Sequence, residues 1–430
     1  MLLKKARNLF FSILVLSLVF IPVIGSGGFA HAEKIFEKNK SRTEVLDIIK
    51  NNGQKPKINI IGNIKVTEEI NSLVNIKNIN SLDKVDLNED LKTIWIESKE
   101  MNKFLNNQNK LEKLLESGVS IYIIGTEDVN LLHSIFKPSS KVIEEEVDGN
   151  TPDFQYVTQN NNDEYFIGRG YFSEELLDNE KLEAILSSAW NRKNDINFSS
   201  PVSHENANGI LNNKLQSILY STVAAADYDD FEIDPDWDII DGWDSYEWYG
   251  SYGDVAEWKA EFHYNDGSDD YYAMAASTQM IPNESKYASS DYLLIKTEAD
   301  VSQDNELFSY GPKNQPSSDQ ITFNIGASGN TPSIGASYTV TDNDLEISTS
   351  GTSSTSEIYQ VKFIYDAFSN YAEAESTQNW ALIVQSESTN NDFVTIYNKR
   401  SGRFYDGYWH EPDGHDDELI TKSYNTNIYK

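Results

Sequence analysis

Apolar and polar residues follow two different rhythms along this chain. Between residues 33 and 200, short apolar runs alternate with segments of helical period. SRTEVLDIIKN (41–51) opens on Ser41, a good helix cap, and puts Val45, Leu46, Ile48 and Ile49 on one side. KINIIGN (57–63), LKTIWIES (91–98) and SIYIIGT (120–126) predict short buried strands. KEMNKFLNNQNKLEKLLESG (99–118) predicts a helix stopped by Gly118, and TEDVNLLHSIFK (126–137) one halted by Pro138. SEELLDNEKLEAILSSAWNRK (173–193) predicts a third, capped by Ser173. This alternation implies a small α/β domain with a partly parallel sheet.

Around residues 194–228 the pattern breaks, apart from a brief helix-like ILNNKLQSILYST (210–222), and 201–228 predict a linker. Beyond them nearly every segment alternates with period two. EWKAEFHY (257–264) and DDYYAMAASTQM (269–280) flank Asp266-Gly267 and predict a hairpin. YLLIKTEADV (292–301), YQVKFIYDAF (359–368), NWALIVQSE (379–387) and FVTIYNKRSGRFYDGYW (393–409) continue the series. The expected fold class is α+β with two domains, an α/β domain over 33–200 and an antiparallel β-sandwich over 229–430.

The first residues change where this fold works. Lys4, Lys5 and Arg7 precede an apolar stretch from Leu9 to Ile24, and Ala30-His31-Ala32 follows as a small-residue cleavage signal. Residues 1–32 therefore predict a signal peptide and a secreted, extracellular protein. The chain has no cysteine, which excludes disulfides, thiol catalysis and thiolate metal sites.

Charge separates the halves. The whole chain carries −33, and removing three basic residues with the signal leaves −33 − 3 = −36. Residues 225–430 hold 10 Lys+Arg against 38 Asp+Glu, a net of −28, whereas 33–224 hold 22 against 30, a net of −8. So acidic a β-half repels nucleic acid and anionic lipid, and no nucleic-acid partner is expected.

Candidate chemistry is sparse. G-x-S-x-G, H-E-x-x-H, G-x-G-x-x-G and P-loop motifs are absent. Gly62 and Gly125 follow strands as turn glycines do, and His133 sits in a helical pattern. Asp234, Asp236 and Asp238 imitate the opening of a calcium loop, but Ile239 stands where glycine is needed. His410, Asp413 and His415 offer ligand types for a transition metal on a stretch that is also a good turn. Both stretches also suit solvated surface segments, and the expectation is a non-enzyme with no catalytic residue, cofactor or metal. The aromatic run around Trp243, Trp248, Tyr249 and Trp258 fits a surface for sugars or a lipid interface, and equally a core.

One segment points further. In SSDQITFNIGASGNTPSIGASYTVTDND (317–344), Ile321, Phe323 and Ile325 alternate with Thr322 and Asn324, and Ile334, Ala336, Tyr338 and Val340 with small polar residues. A hairpin with one dry and one wet face suits a soluble sandwich, where the dry face meets another sheet, or a membrane barrel, where it meets lipid. The stretch SYGPKNQPSSDQITFNIGASG...PSIGASYTVTDNDLEI...YQVKFIYDA resembles the leukocidin/hemolysin family of secreted β-pore-forming toxins. Tyr310, Pro312, Lys313 and Asn314 match the family's pre-stem segment, Ile321 to Thr341 its stem, Asp344 the acidic position after it, and Tyr359, Val361 and Phe363 the next strand.

The resemblance spans roughly residues 290–365. It implies a leukocidin-like β-sandwich and pore formation by homo-oligomers on a target membrane or receptor, with Ile321, Phe323, Ile325, Ile334, Ala336, Tyr338 and Val340 facing lipid. The hairpin is shorter than the family's stem, and SNYAEAESTQNW (369–380) replaces its aromatic rim run. The alternative is a non-enzymatic extracellular binding protein, for carbohydrate or a cell-surface partner, on the same sandwich.

Overall fold

Ser41 accepts a hydrogen bond from the Glu44 N–H and starts α1 (Arg42–Asn51), whose Val45, Leu46 and Ile49 are buried. The computed structural model describes residues 40–193 and 231–429, apart from 86, 88–90, 105–107, 147–150, 160–164, 314–319, 327–330, 340–344, 367–371, 373–374, 387–392 and 407–416. Strands β1 (Lys57–Ile61), β2 (Asn75–Asn78), β3 (Thr93–Glu97) and β4 (Ser120–Ile124) pair in parallel in the order β2-β1-β3-β4. Helix α2 (Glu68–Leu73) links the first two strands, and α3 (Ser98–Met101) and α4 (Gln108–Glu116) lie between the next two. Gly118, at φ +76°, ends α4 in the left-handed conformation that glycine tolerates. A core of Ile94, Ile96, Leu111, Leu115, Ile121 and Val157 packs the helices onto the sheet.

Two predicted helices begin later than their patterns suggest. Residues 126–130 form a turn in which the Thr126 hydroxyl accepts from the Asp128 N–H, so α5 is Leu131–Phe136. The Ser173 hydroxyl accepts from the Glu175 N–H, and α6 runs Asp178–Arg192. In both places a side chain offers the backbone a local turn in competition with the helix.

The β-half forms long antiparallel strands. β9 (Asp238–Tyr249), β10 (Gly253–Asn265), β11 (Asp270–Pro282), β18 (Ser376–Ser386) and β13 (Asn305–Gly311) make one sheet in the order β9-β10-β11-β18-β13. A second sheet, β16-β17-β12-β19-β20-β5, combines β12 (Ser289–Ala299), β16 (Leu345–Ser348), β17 (Ile358–Tyr365), β19 (Phe393–Tyr405) and β20 (Asp417–Tyr429) with β5 (Val142–Glu146).

The two halves share their sheets. β6 (Phe154–Gln159) pairs antiparallel with β4 and with β7 (Tyr165–Phe172), and β7 runs parallel to β9 from Gly168↔Ser245 to Phe172↔Tyr249. One eleven-stranded sheet therefore joins the described parts of both halves, and β5 of the first half completes the edge of the second sheet along β20. No local residue pattern encodes such long-range pairings, which is why the sequence suggests two bodies.

Candidate functional site

The residues singled out by alternation form a small sheet of their own. β14 (Gln320–Ile325) pairs with β15 (Ile334–Thr339), from Gln320↔Thr339 to Ile325↔Ile334. Their third strand is β8 (Phe231–Ile233), paired through Ile334↔Ile233, Gly335↔Glu232 and Ala336↔Phe231. Among the described residues, none of the three is paired with either large sheet.

Side chains attach this sheet to the body. Ile321, Phe323, Ile325, Ile334 and Ala336 are all at most 8% exposed, whereas Thr322 and Asn324 are exposed. Phe323 lies on the backbone of Gly311 at the end of β13, where a Cβ would come within 2.5 Å of the ring. Its other neighbour is Phe231, edge-on at 6.3 Å between ring centroids. Gly326 sits at φ +78° against the Pro332 carbonyl and near Ile383 of β18. The wet side carries a contact of 3.2 Å between the Thr322 and Ser337 hydroxyls. Tyr338 lies on β15, and Val340 is outside the described residues.

The pre-stem residues border this seat. Tyr310 stacks on Tyr359 at 5.1 Å, and the Tyr359 hydroxyl donates to the Gly311 carbonyl at 2.8 Å. Lys313 places its ammonium 4.9 Å from the Tyr310 ring centre, and Pro312 is buried. Asn314 is outside the described residues.

The aromatic candidates have a different place. Trp248, Tyr249 and Trp258 are buried, at 2, 7 and 4% exposure, so of the two readings left open for them these three take the interior one. Trp248 stacks near Tyr171 and Tyr246, and Arg192 of α6 lies over the Trp258 ring. Trp243 belongs to the same strand, β9.

Sequence reasoning missed the buried ionic layer between the two large sheets. Glu257, Lys259 and Glu261 alternate with apolar residues along β10, yet all three are at most 1% exposed. The Arg400 guanidinium donates to Glu257 at 2.5 Å, and Tyr424 donates to the same carboxylate at 2.6 Å. The Lys259 ammonium is shared between Glu144 at 2.5 Å and Glu261 at 2.7 Å. Burial pushes the Glu261 carboxyl up to about 8, against the pull of Lys259 and with help from Glu144 and Asp241.

A second group joins α5 to β9. His133 Nε2 lies 2.6 Å from Asp244, its Nδ1 is 3.6 Å from Asp241, and Lys137 donates to Asp241 and Asp244 at 2.6 and 3.0 Å. Burial alone would raise the Asp244 carboxyl, but Lys137, His133 and Arg169 together hold it well below the usual range. His133, Asp241 and Asp244 are metal-ligand types in one place. The Lys137 ammonium already stands between the two carboxylates, so their charge is met from within the chain. Asp234 instead accepts from the Asp236 N–H in a local turn, and His410, Asp413 and His415 are outside the described residues.

No protein-family model and no curated protein matches the chain. Solved structures do. A protein described as a pore forming protein aligns at 14% identity over 45% of this chain and 96% of its own, with a TM-score of 0.29. Clostridium perfringens delta-toxin aligns at 10% identity over 39% and 84%, with a TM-score of 0.28. The membrane-inserted form of the Clostridium perfringens NetB toxin aligns at 10% identity over 43% and 96%, with a TM-score of 0.24.

Proposed function

We propose that this protein is a secreted, non-enzymatic, leukocidin-like membrane-active protein that inserts the β14–β15 hairpin into a lipid bilayer as part of an oligomeric barrel. The observation that carries the proposal is the hairpin's attachment, which joins an apolar face to the body through side chains and leaves the uncharged face open to water. Each buried Ile or Phe on it holds roughly 1.5–3 kcal/mol of transfer free energy. Hydrocarbon returns that energy as well as a protein core does. The backbone is the harder problem, because every N–H and C=O in lipid needs a partner, and a ring of hairpins closing into a barrel supplies them.

Length sets a second condition. The ladder has six residues per arm, shorter than the roughly 9–11 that a tilted spanning strand needs. Continued at its present register, it would run Gln320–Ser328 against Thr331–Thr339, nine per arm, and close on Gly329-Asn330, a favourable two-residue turn. Gly326 leaves strand geometry at φ +78°, so insertion includes its straightening. The whole run from Gln320 to Thr341 is uncharged, and Asp319 and Asp342 bound it. A net charge near −36 in the secreted form favours neutral head groups or a receptor over an anionic bilayer.

A cystine across the β15–β8 joint tests this. A Cβ on Gly335 would stand 3.7 Å from that of Glu232, the spacing of a disulfide, and the chain has no other cysteine to interfere. Glu232→Cys/Gly335→Cys should be silent in dye release from neutral vesicles and cells when oxidised, and active when reduced. Equal leakage in both states would remove the hairpin from the mechanism.

A further inference from the structure

The outer face of the second large sheet carries cations in an arrangement that its surroundings do not explain. Across β17-β12-β19-β20, the register aligns Gln360, Lys296, Lys399 and Ser423 in one row, and Lys362, Leu294, Ser401 and Thr421 in the next. These two rows contain three lysines and no carboxylate. They form the middle of the face. Glu298 and Glu145 lie in the row on one side, and Glu346 with the Arg403 group, Asp291 and Asp417 on the other.

Lys296 and Lys399 are directly opposite each other on adjacent strands roughly 4.8 Å apart. Like charges in that position destabilise a sheet. Lys296 reaches Glu298 at 3.2 Å, Lys362 lies over the Tyr292 ring at 3.8 Å, and among the described residues neither Lys362 nor Lys399 meets a carboxylate. The β-half holds 38 acidic residues and only 10 basic ones, so unneutralised lysines are not a default of its composition.

We infer that this sheet face is a binding site for an anionic, sulfated polysaccharide of the cell surface. A flat array of ammonium groups at strand spacing, beside the Ser423 hydroxyl and the paired Ser401 and Thr421 hydroxyls, offers ion pairs to sulfates and hydrogen bonds to sugar hydroxyls. A protein partner would want an apolar centre instead, and these two rows hold only Leu294. An anionic bilayer would meet the full negative field of the molecule, whereas a flexible chain can engage the three lysines alone. The site is independent of the hairpin, and it supplies what so acidic a protein otherwise lacks, a means of concentrating on a negatively charged cell surface.

Immobilised heparin is the probe. At low ionic strength the secreted form should be retained and should elute as salt is raised. Each lysine contributes on the order of 1 kcal/mol. Lys399→Gln should therefore bind about fivefold more weakly, and Lys296→Gln/Lys399→Gln more weakly still. The same double variant should melt no lower than the wild type, because it removes a like-charge pair; a merely structural lysine would not behave so. Lys113→Glu, at an exposed position of α4, changes the net charge as much as the double variant but should leave retention unchanged.

Absence of wild-type retention would overturn the inference. So would an equal loss in Lys113→Glu, which would make the effect one of net charge. Sedimentation showing that Lys296→Glu/Lys399→Glu dissociates an oligomer without affecting heparin binding would assign the face to a second copy of the chain, and lysine-dependent binding to anionic vesicles without heparin binding would assign it to lipid.

Discussion

β10 and the hairpin arm β14 alternate in the same way, yet one is covered on both faces and the other on one. Glu257, Lys259 and Glu261 of β10 point into the space between two sheets, while Trp258, Ala260 and Phe262 are buried on the opposite side. On β14, Ile321, Phe323 and Ile325 are buried and the polar partners face water. The difference teaches that alternation specifies which residues share a face and not what medium that face meets. Charge completes the distinction. β10's polar side carries buried ionisable groups that need partners from β5, β19 and β20, whereas the hairpin's polar side carries no charge and is suited to a change of surroundings.

The comparison predicts unequal responses to mutation. Arg400→Met leaves Glu257 as a buried carboxylate without its guanidinium and should cost about 3–5 kcal/mol, read as a large fall in the urea midpoint of the whole protein. Phe323→Ala should cost about 3 kcal/mol at the seat, but as local release. Protease cleavage within 314–344 should accelerate while most of the thermal transition is retained. Loss of the entire transition would mean that the hairpin is integral to the body.

The ionic layer should also respond to pH. Glu261's folded value of about 8 lies above its ordinary 4.5, so between these values the folded state holds the proton that the unfolded state releases. Stability from this group is therefore present at acid pH and is lost as pH rises toward about 8. Asp254, raised to about 6 by burial despite its ion pair with Arg42, acts in the same direction over a narrower range. Glu261→Gln should flatten the decline in melting temperature between pH 5 and 8, and an unchanged slope would show that the carboxyl is already ionised in the fold. The smallest effect belongs to the hairpin's wet face, where Thr322→Ala should change stability by less than about 0.5 kcal/mol.

Much of the hairpin was legible in sequence. Ile321, Phe323, Ile325, Ile334 and Ala336 are on the buried side that their period assigns them, because a one-residue slip would have turned them all to water. The parallel strands at 57–61, 93–97 and 120–124 were legible for a similar reason, as apolar runs too short for helices. The aromatic cluster was visible as a cluster, but its burial was not, since aromatic rings suit a core as well as a surface. The β7–β9 and β5–β20 joints left no trace, because pairing between distant segments depends on backbone groups that every residue has. The Arg400–Glu257 and Lys259–Glu144 pairs were hidden because their partners are 143 and 115 residues apart in the chain.

The central claim is that the hairpin's dry face exchanges protein for lipid. Single cysteines at Thr322, Phe323, Asn324 and Ile325, each carrying an environment-sensitive fluorophore, test it directly on neutral vesicles with a lipid-soluble quencher. The account predicts quenching that alternates along the arm, strong at 323 and 325 and weak at 322 and 324. Uniformly weak quenching at all four, in a preparation that releases dye, would contradict it.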